Sequence, residues 1–286
     1  MALDLVAALE QAETIDKVAN PVADAVNKAI PAGPLKDVLS GTRLGHPVHP
    51  ILTDVAIGAL TSAVVVDLVG GPSAEGAADT LIAVGLAAVV PTAVTGISDW
   101  SDTWGKARRI GVVHAGVNVA ASACYAGSLV ARRAGARGAG KALALAGAGI
   151  MTLGGYLGGH LTFRKGVGVD ETTFDEGPSE WTQLFALDEL PEGSPTTATV
   201  EGVTILLYRT GSKVVAIHNR CTHRGAPLNE GECDGRTVTC PWHGSMFRLE
   251  TGEIVRGPAI APQPRFEVRV TDGKVEVRRD PSELHA

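Results

Sequence analysis

The sequence predicts an α+β membrane protein with two domains, a four-helix transmembrane bundle followed by a small all-β domain. Four long apolar runs follow one another in the middle of the chain, and shorter apolar runs bounded by turn residues come after them. The mean hydropathy of +0.15 is high for a chain in which 20% of the residues are charged. A length of 286 residues leaves room for both domains.

The predicted organisation has four parts. These are N-terminal amphipathic helices in residues 1–45, a transmembrane domain in 46–163, a linker in 164–180 and an all-β domain in 181–286. In the first part, Asn20-Pro21 predicts a helix start with Asn20 as N-cap and Pro21 at the first helical position. The net charge of −6 offers no basic surface, so we set nucleic-acid binding aside.

The four apolar runs predict the transmembrane bundle. Each has about 20 residues, which is roughly 30 Å of helix and enough to cross a bilayer. The alternative is a soluble bundle of buried helices, but helices that are apolar all round and follow in series favour a membrane domain. Gly154-x-x-x-Gly158 and Gly155-x-x-x-Gly159 predict close helix packing. The runs are residues 51–70, 77–97, 110–131 and 142–163.

The basic residues beside the runs predict the orientation. Side A denotes the end with the N-terminus, the loop between runs two and three, and everything after run four. Seven basic residues flank side A and four flank side B, which favours a cytoplasmic side A. The seven are Lys36, Arg43, Lys106, Arg108, Arg109, Arg164 and Lys165, and the four are Arg132, Arg133, Arg137 and Lys141.

The remainder of the chain predicts a β domain close to side A. The polar linker, if flexible, spans roughly 20–25 Å. After it come strand-like runs at 203–208 and 214–218. Further on, Asp272-Gly273 lies between two segments in which apolar and polar residues alternate, which predicts a hairpin.

Two short loops in this domain contain metal-ligating residues. Cys221-Thr222-His223 and Cys240-Pro241-Trp242-His243 each offer one thiol and one imidazole. Zinc fingers favour a cysteine pair followed by a histidine pair. Mixed loops instead suit a [2Fe–2S] cluster with two thiolates on one iron and two imidazoles on the other. Gly225 and Gly244 permit tight turns, and the Ser245 hydroxyl is placed to donate to a cluster sulfur.

The segments CTHRGA, from Cys221, and CPWHGS, from Cys240, resemble the two motifs of the Rieske family, and the resemblance covers roughly residues 181–280. It implies that Cys221 and Cys240 bind a buried iron. It implies that His223 and His243 bind an exposed iron and form the exit for the electron.

The resemblance is closest to the ferredoxin-like branch of that family. The respiratory branch adds a disulfide, but here the corresponding positions are Ala226 and Trp242, so none is expected. We interpret Cys233 as a packing residue. The respiratory branch also has a tyrosine where this chain has Phe247, which lacks a hydroxyl. Fewer donors favour the low end of the Rieske range of about −150 to +300 mV, so we predict a potential below zero.

Ionisable residues at side A form a second candidate site. They are His46, His49, His114, His160 and Asp54. Three interpretations stay open: helix capping and mutual hydrogen bonds, a haem b bound by His114 with His160 or His49, and a non-haem metal or quinone pocket. The segment that leads into the first apolar run, His46-Pro47-Val48-His49-Pro50, also resembles an uncharacterised bacterial family of four-helix membrane domains.

These observations predict a membrane-anchored Rieske protein. It would transfer single electrons between a cytoplasmic-side cluster and a membrane redox site or a redox or quinone-linked partner. The alternatives are a tethered ferredoxin subunit of an oxygenase or reductase, and a redox sensor. We expect no catalytic iron domain after the β domain, and therefore an electron-transfer component rather than a stand-alone catalyst. The sequence leaves the oligomeric state open.

Overall fold

A computed structural model describes residues 2–280; residues 281–286, the end of the predicted β domain, lie outside the described residues. The chain divides into two compact units. One contains residues 2–31 and 47–167, and the other contains residues 32–46 and 168–280.

The first unit is helical and contains the four predicted spans. The long helices are α4 (Val48–Val69), α5 (Glu75–Ser101), α6 (Gly105–Arg133) and α7 (Arg137–Lys165), preceded by α1 (Ala2–Gln11) and α2 (Asp16–Ala29). Among residues 2–280, four helices are able to cross a membrane by length and composition, which confirms the predicted four-helix architecture.

Small residues bring the long helices close together. A Cβ on Gly85 of α5 would lie 2.5 Å from Leu60 Cγ on α4, and one on Gly147 of α7 would lie 3.0 Å from the Tyr125 ring on α6. Gly154 of α7 contacts Asn118 of α6 in the same way. Close helix packing is therefore achieved with glycine, as is usual in membrane bundles.

A buried ion-pair network joins all four helices at side B. The Arg132 side chain of α6 is fully buried and pairs with Asp67 of α4 and with Asp79 of α5, at 3.1 Å to Asp79 Oδ1. Arg137 Nη1 of α7 lies 2.8 Å from Asp79 Oδ2, and Lys141 Nζ donates to Asp67 O at 3.3 Å. Two of the basic residues counted in the orientation argument, Arg132 and Arg137, therefore form ion pairs between helices, and Lys141 donates to a backbone carbonyl.

The predicted helix start at Asn20-Pro21 is wrong. Helix α2 begins at Asp16 and contains Pro21. A 3₁₀ turn, Glu13–Ile15, runs directly into the helix. Asp16 is fixed by two hydrogen bonds from Arg109, at 2.8 and 2.6 Å. The Asn20 side chain accepts from Arg108 at 2.9 Å, so it is used for packing on α6 rather than as a cap.

The second unit contains two antiparallel sheets and helix α3 (Pro34–Ser40). Its strands are β1 (Thr182–Ala186), β2 (Thr196–Val200), β3 (Val203–Thr210), β4 (Lys213–His218), β5 (Glu232–Cys233), β6 (Thr237–Thr239), β7 (Met246–Arg248), β8 (Ile254–Arg256), β9 (Arg265–Thr271) and β10 (Lys274–Arg279). One sheet has the order β1-β10-β9-β4-β3-β2 and the other β5-β6-β7-β8. Asp272 and Gly273 connect β9 to β10 with positive φ, confirming the predicted hairpin.

Part of the predicted linker packs on this unit. Glu171 N donates to Thr222 O at 3.1 Å, and Arg220 Nη2 donates to Glu171 Oε2 at 2.5 Å. His218 Nε2 lies 3.3 Å from Asp175 Oδ2. Residues 171–175 are therefore bound beside the first Cys/His loop.

Candidate cluster site

The two Cys/His loops have the same backbone hydrogen-bond pattern. Cys221 N donates to Ala226 O at 2.8 Å, and Cys240 N donates to Ser245 O at 2.7 Å. In return, Gly225 N donates to Cys221 O at 2.8 Å and Gly244 N to Cys240 O at 3.2 Å. Each loop therefore closes on its own cysteine.

Both loops turn at a glycine in the left-handed region. Gly225 has φ +74° and Gly244 has φ +73°. A side chain at either position would be strained, and one at Gly244 would also place its Cβ 2.9 Å from Ala32 Cβ. The tight turns predicted at these glycines are present.

The four predicted ligands lie together at the tips of these loops. Cys221 is fully buried and Cys240 is 3% exposed. The rings of His223 and His243 are 5.0 Å apart and nearly perpendicular, and the Nδ1 atoms of both are shielded from solvent. Two sulfur donors and two imidazole nitrogens thus face a protected interior. This donor set fits a [2Fe–2S] cluster with mixed ligands.

The site stabilises a thiolate at the second cysteine. The pKa of Cys240 falls to about 7 because the Cys221 thiol donates to it and because the backbone amides of Trp242 and His243 also donate. The pKa of Cys221 is raised, first by this hydrogen bond to Cys240 and then by burial. A thiolate is the form of cysteine that binds a metal. These backbone amides therefore favour the metal-binding form of Cys240.

A buried glutamine fixes the first loop. Gln263 is 1% exposed, and its Nε2 donates to His218 O at 2.7 Å and also to Arg220 O. Its Oε1 accepts from Thr222 N at 3.3 Å, and the Thr222 hydroxyl donates to Ala261 O at 2.9 Å. Gln263 was not among the residues predicted from the sequence. Its only local signal is the pair of flanking prolines, Pro262 and Pro264.

The second loop rests on Ser245 and Phe247. Ser245 is fully buried, and its hydroxyl oxygen accepts from Ala259 N at 3.0 Å, which leaves the hydroxyl hydrogen for another acceptor. Phe247 is fully buried in the hydrophobic core that also contains Cys221 and Cys240. A phenyl ring thus occupies the position where a tyrosine would bring a hydroxyl.

None of the four cysteines forms a disulfide. Cys233 is half-buried against the same core, and burial raises the pKa of its thiol to about 11, so it packs as an apolar residue. Within residues 2–280 no group of three or more His, Cys, Asp or Glu side chains could hold one ion. A cluster with two protein ligands per iron does not require such a group.

Two domain families match this chain. The Rieske [2Fe-2S] domain matches residues 180–268, and the family described as "Predicted membrane protein (DUF2231)" matches residues 45–171. The anthranilate 1,2-dioxygenase ferredoxin subunit of Burkholderia cepacia is 33% identical over 99 residues, which are 35% of this chain and 92% of that protein. The chain belongs to the Rieske [2Fe-2S] family. Its cofactor is accordingly a [2Fe–2S] cluster, and the predicted ferredoxin-like branch is confirmed.

Other relatives of this Rieske protein are also ferredoxins. Ferredoxin CarAc of Metapseudomonas resinovorans is 35% identical over 98 residues, which are 34% of this chain and 92% of that protein. The solved ferredoxin of carbazole 1,9a-dioxygenase from Nocardioides aromaticivorans IC177 is 30% identical. The match covers 36% of this chain and all of that one, with a TM-score of 0.34.

Three candidate histidines of the membrane domain are bound at three different helix contacts. His49 Nδ1 lies 2.9 Å from Thr92 O of α5, and His114 Nδ1 lies 2.9 Å from Gly154 O of α7. His160 Nε2 lies 2.8 Å from Glu10 Oε1 of α1, which also pairs with Lys165 at 2.7 Å.

The other two candidates, His46 and Asp54, are exposed. His46 groups with the β unit rather than with the helices. The comparisons with known families lend no support to a haem or another metal in the membrane domain. For the three bound histidines, the contacts favour the interpretation in which they join helices by hydrogen bonds.

Proposed function

We propose that this Rieske protein is anchored in a membrane and transfers single electrons between its cluster and a redox site or partner. One observation carries the proposal. Two matched loops present two buried sulfurs and two adjacent imidazoles, in a chain that also has four helices able to cross a membrane. When bound, the cluster supplies reversible one-electron chemistry.

We assign the ligands residue by residue. Cys221 and Cys240, whose sulfurs are buried, would bind the inner iron. His223 and His243, which are half-buried, would bind the outer iron and provide the exit for the electron. Gln263 fixes the first loop, the two loop glycines allow both loops to turn, and burial excludes water from the sulfurs.

We propose a reduction potential below zero. A hydrogen bond to a cluster sulfur stabilises the added electron and raises the potential. The Ser245 hydroxyl is available as one donor, whereas Phe247 offers none. A strongly positive midpoint in a redox titration would overturn this proposal.

We propose that the partner is a redox protein. A relative that this chain covers almost entirely is the ferredoxin subunit of anthranilate 1,2-dioxygenase, and this favours a tethered ferredoxin as the second candidate function. A second redox centre in the purified membrane protein would favour the relay to a membrane site. Its absence in protein with a full cluster would favour the tethered ferredoxin or a redox sensor.

The ligand assignment is tested by metal content and optical absorption of detergent-purified variants. We expect two irons and two acid-labile sulfides per chain, and complete loss of both in Cys240→Ser. Cys233→Ala is the matched control and is expected to keep the cluster, because Cys233 packs beside the site without belonging to it. Zinc in place of iron, or loss of the cluster in the control, would contradict the assignment.

A further inference from the structure

Residues 32–46, which precede the first span, pack beside the second Cys/His loop. These residues group with the β unit, although residues 47–167 separate them from the rest of that unit in the sequence. Gly257 N, in the loop that follows β8, donates to Asp37 Oδ1 at 2.8 Å. Ala32 lies against Gly244, the neighbour of His243, and Thr42 lies against Gly257. This segment is therefore attached at two points beside the second loop.

The burial pattern of helix α3 is the reverse of what hydrophobicity predicts. Lys36 is 2% exposed, whereas Leu35 is 58% exposed and Val38 is 65% exposed. Lysine is rarely buried, because moving an ammonium out of water is costly unless an opposite charge compensates it. The inner face of α3 thus brings a positive charge into the β unit.

The Lys36 ammonium is buried between two contacts that this segment makes beside the second Cys/His loop. Ala32 lies against Gly244, and Asp37, the residue after Lys36, accepts from Gly257 N. Lys36 therefore belongs to the segment that packs next to His243, a proposed ligand of the outer iron. With two thiolates and two neutral imidazoles, the oxidised cluster has no net charge and the one-electron reduced cluster has a charge of −1.

We propose that residues 32–46 cover the side of the site that carries His223 and His243, and that the positive charge of Lys36 raises the reduction potential of the cluster. The physical reason is that a nearby cation stabilises the state with the added negative charge. This inference rests on the proposed ligand assignment. Lys36 acts against the effect of Phe247, which offers the cluster no hydrogen bond.

The test is a redox titration of full-length, detergent-purified protein, followed by its visible absorption. Lys36→Met and Lys36→Gln remove the charge, and Lys36→Arg keeps it. We expect both neutral variants to lower the equilibrium constant for reduction about tenfold, which for a one-electron couple is about 59 mV toward negative potential. Lys36→Arg is expected to keep the wild-type midpoint. The matched control is Lys274→Met, on the exposed side of β10.

The buried location adds a second expectation. The difference between wild type and Lys36→Met should persist at about 0.5 M salt, because a buried charge is screened little. A midpoint in both neutral variants equal to that of Lys274→Met, in protein with an intact cluster, would overturn the inference. Loss of the cluster in both neutral variants but not in Lys36→Arg would also overturn it, since the charge would then serve folding. A wild-type protein without a Rieske spectrum would instead overturn the ligand assignment.

Discussion

At the residue scale, the first cluster loop depends on Gln263, which is distant from it in sequence. One side-chain amide donates to two carbonyl groups and accepts from the amide of Thr222. The bonds to His218 O and from Thr222 N are buried, and the bond to Arg220 O is part-buried. At the two buried groups, water cannot replace the lost partner. Removing such a partner costs the desolvation energy of the group that is left behind.

We predict that Gln263→Leu lowers the free energy of unfolding of the β unit by about 1–3 kcal/mol. The reason is that the buried carbonyl of His218 and the part-buried carbonyl of Arg220 would lose their donor. Thermal loss of the cluster's visible absorption measures the effect. Gln183→Leu, on the exposed side of β1, is the control and should leave the transition unchanged. Equal transitions for the two variants would contradict the role of Gln263.

A second prediction concerns Phe247, which is buried in the same core as Cys221 and Cys240, the proposed ligand cysteines. Phe247→Tyr adds a hydroxyl that can donate toward the site, so the reduction potential should rise. A net hydrogen bond of about 1 kcal/mol corresponds to about 40 mV for a one-electron couple. Redox titration measures the shift. Phe266→Tyr lies in the other core of the β unit and should leave the midpoint unchanged. A lower midpoint in Phe247→Tyr would contradict this explanation.

The two Cys/His loops could be predicted from the sequence because the spacing of their residues is local. Each loop combines its cysteine, histidine and glycine within five residues, and both loops close on themselves. Gln263 and Lys36 could not be predicted in this way. Each reaches the site through the folded chain, and a lone glutamine or lysine has no pattern that distinguishes it from a surface residue.

At the scale of elements, the side-B network explains how helices rich in small residues hold a fixed arrangement. Arg132 contributes to contacts with two other helices, and its side chain is fully buried. Removing one partner from a buried ion pair leaves an uncompensated charge, which is more damaging than removing the pair.

We predict that Asp67→Leu lowers the free energy of unfolding of the helical unit by about 3–5 kcal/mol, because it leaves Arg132 short of its main partner. The double variant Asp67→Leu with Arg132→Met should recover part of this loss. Thermal unfolding in detergent, followed by circular dichroism, measures both. Arg133→Met is the control for Arg132 because its side chain is exposed, and it should change stability by less than about 0.5 kcal/mol. A double variant less stable than Asp67→Leu would contradict the argument.

The apolar runs predicted the helices well in their centres and less well at their ends. Helix α5 continues from the run 77–97 to Ser101, and α6 begins at Gly105, before the run 110–131. Polar residues extend both helices because they are paired: Ser101 bonds Asn27, and Arg109 bonds Asp16. Hydropathy describes the lipid-facing part of a helix, whereas its ends depend on partners that are distant in sequence.

At the scale of the whole molecule, the side of the membrane on which the cluster lies depends on membrane topology, because the β domain follows the fourth span. An even number of spans puts the two ends of the bundle domain on one side. Consider a reporter enzyme that is active only in the cytoplasm. We predict that it is active when fused after the β domain and inactive when inserted in the loop between α4 and α5. The reverse pattern would contradict the proposed cytoplasmic location.

The central claim is a [2Fe–2S] cluster with two imidazole ligands in a membrane protein. Electron–nuclear double resonance on the reduced, detergent-purified protein tests it most directly. We predict couplings from two ligand nitrogens, with His223→Ala and His243→Ala each abolishing the signal and His218→Ala retaining it. A reduced cluster without nitrogen couplings, as all-thiolate ligation would give, would contradict the account.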